Sequence, residues 1–240
     1  MWSIAKVVRV TVAMIVVTAS SGCGTEYLDL PASSISLRAT APAWSGTRVA
    51  VVGDSFTAGT QYGGRGEANW VARTRAAVQV ASLSIDVAVS AYGGQGYLAK
   101  GEGGHTFGDS ARAVVDSETA GVVVFGGSND INVKGDLPRA VQALCDEVRK
   151  TARGIKILIV TPAWPSSAAG VVAVADNAAV LKNAARPCLA EVMDPVADKW
   201  FPDLDSRRAE FIGSDGIHPT DAAHAVFADR IAPWIMQFKR

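Results

Sequence analysis

RVAVVGDSFTAG, residues 48–59, joins an apolar run to a polar, glycine-bounded turn. Val49 to Val52 offers no alternation of polar and apolar positions, and Gly53 closes the run with a residue that tolerates a tight turn. Such a run suits a strand buried on both faces, as parallel strands under helices are. Four further stretches share the character: IDVAVSA (85–91), GVVVFGG (121–127), KILIVTP (156–162) and AEVMDPV (190–196). Amphipathic segments separate them. Leu137, Val141, Leu144 and Val148 recur at helical spacing behind Asp136, a suitable N-cap. Trp70, Val71, Thr74, Ala77 and Val78 repeat the pattern earlier, and a last helix is predicted from Thr220. Five strands alternating with helices predict an α/β protein, a three-layer α/β/α sandwich around a five-stranded parallel sheet. Ligands of such sheets bind at the carboxyl ends of the strands.

Composition narrows the class further. Of 240 residues, 49% are apolar and 19% charged, with 23 basic groups balancing 23 acidic ones. A single domain over residues 46–240 can hold a substantial core. No basic run is present, so a nucleic-acid partner is not expected. Residues 1–22 read as a signal peptide, with Lys6 and Arg9 ahead of the apolar run Val10–Val17. That run is short for a membrane span. Cys23, after Ala19-Ser-Ser-Gly22, resembles a lipobox cysteine, which makes it a lipidation candidate and a membrane tether; secretion is the other reading. Residues 23–45 are rich in Ser, Ala and Pro and read as a linker. The chain is thus expected at the cell surface or secreted. In an oxidising compartment Cys145 and Cys188 are free to bridge, or to stay as two buried thiols.

A Gly-Asp-Ser triplet occurs twice, ending at Ser55 and at Ser110. Ser55 follows the first strand directly, where chemistry is expected. Asp109 or Ser110 precedes a short helical pattern and is expected to cap it. A serine nucleophile needs a base, an orienter for that base and oxyanion donors. Of the three histidines, His105 sits in a glycine-rich loop and His224 falls inside the last helix, where a partly packed or solvated position is expected. His218 stands three residues after Asp215, and Pro219 biases it toward extended backbone at the helix mouth. Asn129 follows the third strand and Gly96 the second. Scattered histidines and distant cysteines offer no metal-ligand spacing, and the glycine-rich 63–69 segment lacks the Lys-Ser/Thr of a phosphate loop, so no metal or cofactor is implied.

These blocks resemble the SGNH hydrolases, the GDSL family of esterases and lipases, whose motifs they follow in order across residues 48–219. Gly53-Asp54-Ser55 matches the nucleophile block, Gly96 the oxyanion glycine, Gly127-Ser128-Asn129-Asp130 the Asn block and Asp215-Gly-Ile-His218 the base block. Ala91 stands where many members carry Asn. The resemblance implies a flavodoxin-like sheet, a Ser55–His218–Asp215 triad, and oxyanion donors at Ser55, Gly96 and Asn129. Asp54 and Asp130 are expected to brace turns. Thr57 excludes the Gly-x-Ser-x-Gly elbow of the α/β-hydrolases. The expected activity is hydrolysis of acyl or acetyl esters of lipid or carbohydrate by a monomer. A glycan acyltransferase or deacylase, and a non-catalytic surface lipoprotein that binds glycan or lipid, are the competing readings. Trp164 and Trp200, beyond the fourth and fifth strands, are candidates for an acyl pocket.

Overall fold

A computed structural model of the chain describes residues 46–164 and 170–239. The signal-peptide, lipidation and linker expectations fall on residues outside that set. The five strands are β1 (Thr47–Gly53), β2 (Ile85–Ala91), β3 (Thr119–Phe125), β4 (Lys156–Val160) and β5 (Glu191–Met193). They pair in parallel in the order β2-β1-β3-β4-β5. The helices are α1 (Ser55–Ala58), α2 (Trp70–Val80), α3 (Phe107–Val114), α4 (Leu137–Thr151), α5 (Gly170–Ala185), α6 (Arg208–Phe211) and α7 (Asp221–Met236).

Because successive side chains of a strand point to opposite faces, β1 feeds two cores. Val49 and Val51 join Trp70 and Val78 of α2 and Phe227 and Ile231 of α7 on one face. Ala50 and Val52 join Phe107 of α3, Val141 of α4 and Leu181 of α5 on the other. Three layers result, α2 and α7, the sheet, and α3 to α5. From β1 the chain winds outward to β2 and then, from β3, in the opposite direction to β4 and β5, so the switch point lies between β1 and β3 and places the ligand crevice at their carboxyl ends.

Two local expectations are corrected. β5 ends at Met193 rather than running to residue 196, because the Asp194 carboxylate accepts the Val196 and Ala197 N–H groups and turns the chain before Pro195 can extend the ladder. The helix after the second triplet starts at Phe107, so Ser110 lies inside it. Thr106 is its N-cap, and Thr106 and Asp109 form a reciprocal capping box. Cys145 of α4 and Cys188, just beyond α5, are joined as a disulfide with Cα atoms 5.8 Å apart.

Candidate active site

The nucleophile turn is assembled by its neighbours in sequence. Asp54 caps α1 by accepting the Phe56 N–H at 2.9 Å, which leaves Ser55 as the first helical residue. The first N–H groups of a helix have no partner within it, and the Ser55 N–H has none among the described residues. A Cβ on Gly53 would stand 2.1 Å from Thr57 Oγ1, so only glycine lets the chain fold back this tightly. Burial, together with the nearby Asp130, pushes the Asp54 carboxyl up to about 7 against the opposing Phe56 N–H.

After β2 the chain makes a turn in which the Gln95 N–H donates to the Tyr92 carbonyl, with Gly94 at φ +72°. Gln95 is fully buried. Its side-chain amide donates to the Gly53 carbonyl at 2.5 Å, while its Oε1 accepts the Ser110 hydroxyl at 3.1 Å. The second triplet's serine therefore braces the first triplet's turn from beneath.

Asn129 follows β3 through Gly127, which is left-handed at φ +116°. Its Nδ2 donates to the Gln95 carbonyl at 2.9 Å and, at a longer 3.3 Å, to Asp54 Oδ2. Asp130 beside it accepts the N–H groups of Tyr97, Leu98 and Ala99 at 2.8–2.9 Å, tying the loop after β2 to the loop after β3. Gly96 is the exception to the expected arrangement. It is buried, its N–H donates to the Ala99 carbonyl at 3.0 Å, and a Cβ there would sit 2.4 Å from Asp130 Oδ1. Its glycine makes room for Asp130 rather than presenting a donor; Gly93 and Gly94 are the glycines of this loop that line the cleft beside Ser55.

His218 lies ahead of Thr220, the N-cap of α7. Its Nδ1 is 2.5 Å from Asp215 Oδ2, and Asp215 Oδ1 accepts the Ile217 and His218 N–H groups at 3.0 Å. Burial raises the Asp215 carboxyl, but these hydrogen bonds, the imidazole's first, more than offset it and hold its pKa below the ordinary aspartate value. Asp215 thus stays ionised. The Tyr62 ring lies parallel to the imidazole with centroids 6.0 Å apart. Trp164 fixes the same loop by donating its indole N–H to the Ile217 carbonyl at 2.9 Å.

Ser55, Asn129 and His218 all line one cleft of about 750 Å³, together with Trp164, Ile217 and Arg65. Trp164 meets its expected place on the wall, but Trp200 is buried in the core against Phe227. His224 is also corrected. It is fully buried, its Nδ1 accepts the Trp70 N–H at 3.4 Å, and burial lowers it to about 4. Gln95, Tyr62 and Arg65 escaped the sequence reading, since each works through partners distant in the chain.

A turn-borne serine, a carboxamide and an aspartate-bound imidazole converging at the carboxyl ends of a parallel sheet define a class of ester-cleaving hydrolases. Residues 51–226 match the GDSL-like Lipase/Acylhydrolase family, and the chain belongs to it as a serine hydrolase of carboxylic esters. It is 38% identical over 196 residues to the GDSL lipase Rv0518 of Mycobacterium tuberculosis, spanning 78% of this chain and 80% of that one. Its fold is similar to that of a lipase/acylhydrolase from Enterococcus faecalis, with a TM-score of 0.60 at 16% identity, covering 81% of this chain and 97% of the other. A carbohydrate acetylesterase family member from Sinorhizobium meliloti is similar too, with a TM-score of 0.59 at 18% identity, covering 80% and 98%.

Proposed function

We propose that the chain is an exported esterase that removes acyl or acetyl groups from lipid or carbohydrate esters through Ser55, His218 and Asp215. One observation carries the reading: Ser55, Asn129 and His218 line a single cleft, with the imidazole already held by Asp215. In the first step His218 Nε2 takes the Ser55 hydroxyl proton while Oγ bonds to the ester carbonyl carbon. The negative charge on the carbonyl oxygen is met by the Ser55 N–H and the Asn129 amide. The bond to the alcohol then breaks, and the alcohol leaves with the proton from His218. Water repeats the sequence on the acyl-Ser55 ester, giving the free acid. Asp215, ionised throughout, stabilises the imidazolium that forms in each half. Asn129 can reach the oxyanion by giving up its 3.3 Å bond to Asp54, the weaker of its two.

A fluorophosphonate probe tests the nucleophile. Wild-type protein is labelled, and Ser55→Ala is not; labelling of Ser55→Ala would overturn the assignment. Asn129→Ala is expected to lose about 10²–10³ in turnover while remaining folded, as loss of one oxyanion donor does. Turnover equal to wild type would remove Asn129 from the mechanism. Rates across an ester series from acetyl to long acyl, alongside acetylated glycans, separate the lipid from the carbohydrate substrate.

Export is supported by the signal-like residues 1–22 and by the disulfide, a bond that persists outside reducing compartments. Cell fractionation of the full chain should recover it outside the cytoplasm. Cys23→Ser should release it from the membrane fraction if Cys23 carries lipid, and recovery of both forms in the cytoplasm would refute export.

A further inference from the structure

Beside the nucleophile cleft runs a second groove of about 520 Å³, between α2 and the exposed edge of β2. Ala58 and Arg65 line both. Arg65 and Arg75 line this groove, and among the described residues no Asp or Glu does. Arg75 spends Nε and Nη2 on the Val87 carbonyl, at 3.0 and 2.6 Å, which leaves Nη1 without a partner among the described residues. Arg65 forms no ion pair among the described residues, although the chain as a whole has as many acids as bases. Asn69, the other strong polar side chain there, is used up. Its Nδ2 donates to the Thr57 and Gly64 carbonyls, and its Oδ1 accepts the Val71 N–H. The groove's charged groups are therefore both cationic, beside the neutral hydroxyls of Thr57, Ser90 and Tyr92, and they start where the nucleophile cleft ends.

We propose that this groove receives an anionic group, a carboxylate or a phosphate, carried by the ester substrate away from the bond that is cut. The inference rests on the reading of Ser55 as nucleophile and adds the substrate's charge to it. Guanidinium groups match both oxyanions, and charge-assisted hydrogen bonds are the stronger kind. Glu102 lines the nucleophile cleft but not the groove, and Arg75 the groove but not the cleft, so an anion is favoured in the groove over the cleft.

Matched esters test it on both sides of the bond. On the alcohol side, 4-acetoxybenzamide is compared with 4-acetoxybenzoate and 4-acetoxyphenyl phosphate; on the acyl side, 4-nitrophenyl hexanoate is compared with 4-nitrophenyl hydrogen adipate. Each kcat/KM is divided by the ester's alkaline hydrolysis rate to remove intrinsic reactivity. On at least one side the anionic ester should be preferred by about tenfold, with the preference shrinking as salt is added. The benzoate and phosphate arms tell which oxyanion fits. Arg65→Gln should bring the ratio most of the way to one, and Arg65→Glu should invert it. A ratio near one on both sides in wild type, with the neutral esters turned over, overturns the proposal. So does a preference that Arg65→Gln leaves intact. If no ester is turned over, it is the Ser55 reading that fails. The groove is then judged by calorimetric binding of 4-hydroxyphenyl phosphate, where equal affinity of wild type and Arg65→Gln refutes it.

Discussion

Gln95 is where the two Gly-Asp-Ser triplets meet: it takes a hydrogen bond from Ser110 and gives one to Gly53, and its own carbonyl holds Asn129. The residue pattern separated the two serines by position: Ser55 opens the short α1 two residues beyond β1, whereas Ser110 lies inside α3. It misread Ser110 as a cap, although Thr106-x-x-Asp109 carries the capping-box spacing in plain sight. Gly96 was legible as a required glycine but not for its reason. Spacing marks where a Cβ is forbidden, whereas the direction of the N–H depends on how the turn closes on Ala99 and Asp130. Ser110→Ala deletes one buried, neutral hydrogen bond and should cost about 1 kcal/mol in a urea melt. As a positioning residue it should lower kcat a few-fold with KM unchanged, and Ser110→Thr should restore part of the loss. The variant must still react with fluorophosphonate. A change in stability with kcat intact would reduce Ser110 to a packing role.

At the scale of elements, the helix periods and the strand runs were readable because each is a local signal. The burial of His224 was not, because α2 supplies it: the Trp70 N–H and the loop at Gly64 close over the imidazole from far away in the chain. A pH dependence of stability follows. His224 is lowered from 6.5 to about 4, so between those values the unfolded chain binds the proton and the folded one does not. Its contribution is fully present above pH 6.5 and is lost as pH falls to 4, by about 3 kcal/mol. Asp54 acts in the opposite sense. Its folded pKa near 7 lies above the ordinary 3.8, so the folded chain gains protons first and stability rises as pH falls through that window. The clean measurement is therefore the difference between wild type and His224→Gln in urea melts from pH 7 to pH 4. Wild type should lose about 3 kcal/mol more than the variant across the interval. Parallel pH curves would show that the imidazole is protonated in the folded state after all.

For the whole molecule, sheet order decides what the disulfide can touch. Parallel pairing and the number of strands were legible from the alternation; Cys145 and Cys188 were legible as a candidate pair, but whether they bridge was not, because it depends on α4 and the end of α5 lying side by side on one face. The bridge joins residues 43 apart and closes β4 and α5 into one loop. In the chain-entropy account a loop of that size is worth about 4 kcal/mol against the unfolded state, and measured bridges commonly give 2–4. Cys145→Ala/Cys188→Ala should shift the urea midpoint accordingly, and wild type with reductant should move the same way. Ser55, Asn129, Asp215 and His218 all lie outside the closed loop, at the ends of β1 and β3 and before α7. Among the described residues that line the cleft, only Trp164 lies inside it, tied by its indole to Ile217. Turnover at 25 °C, well below the midpoint, should therefore stay within about twofold of wild type while stability falls. An unmoved midpoint would show that the bridge constrains nothing the unfolded chain explores. A matching collapse in turnover would instead place the hold on the Trp164 wall in the bridge, and make the cleft depend on the far face of the sheet.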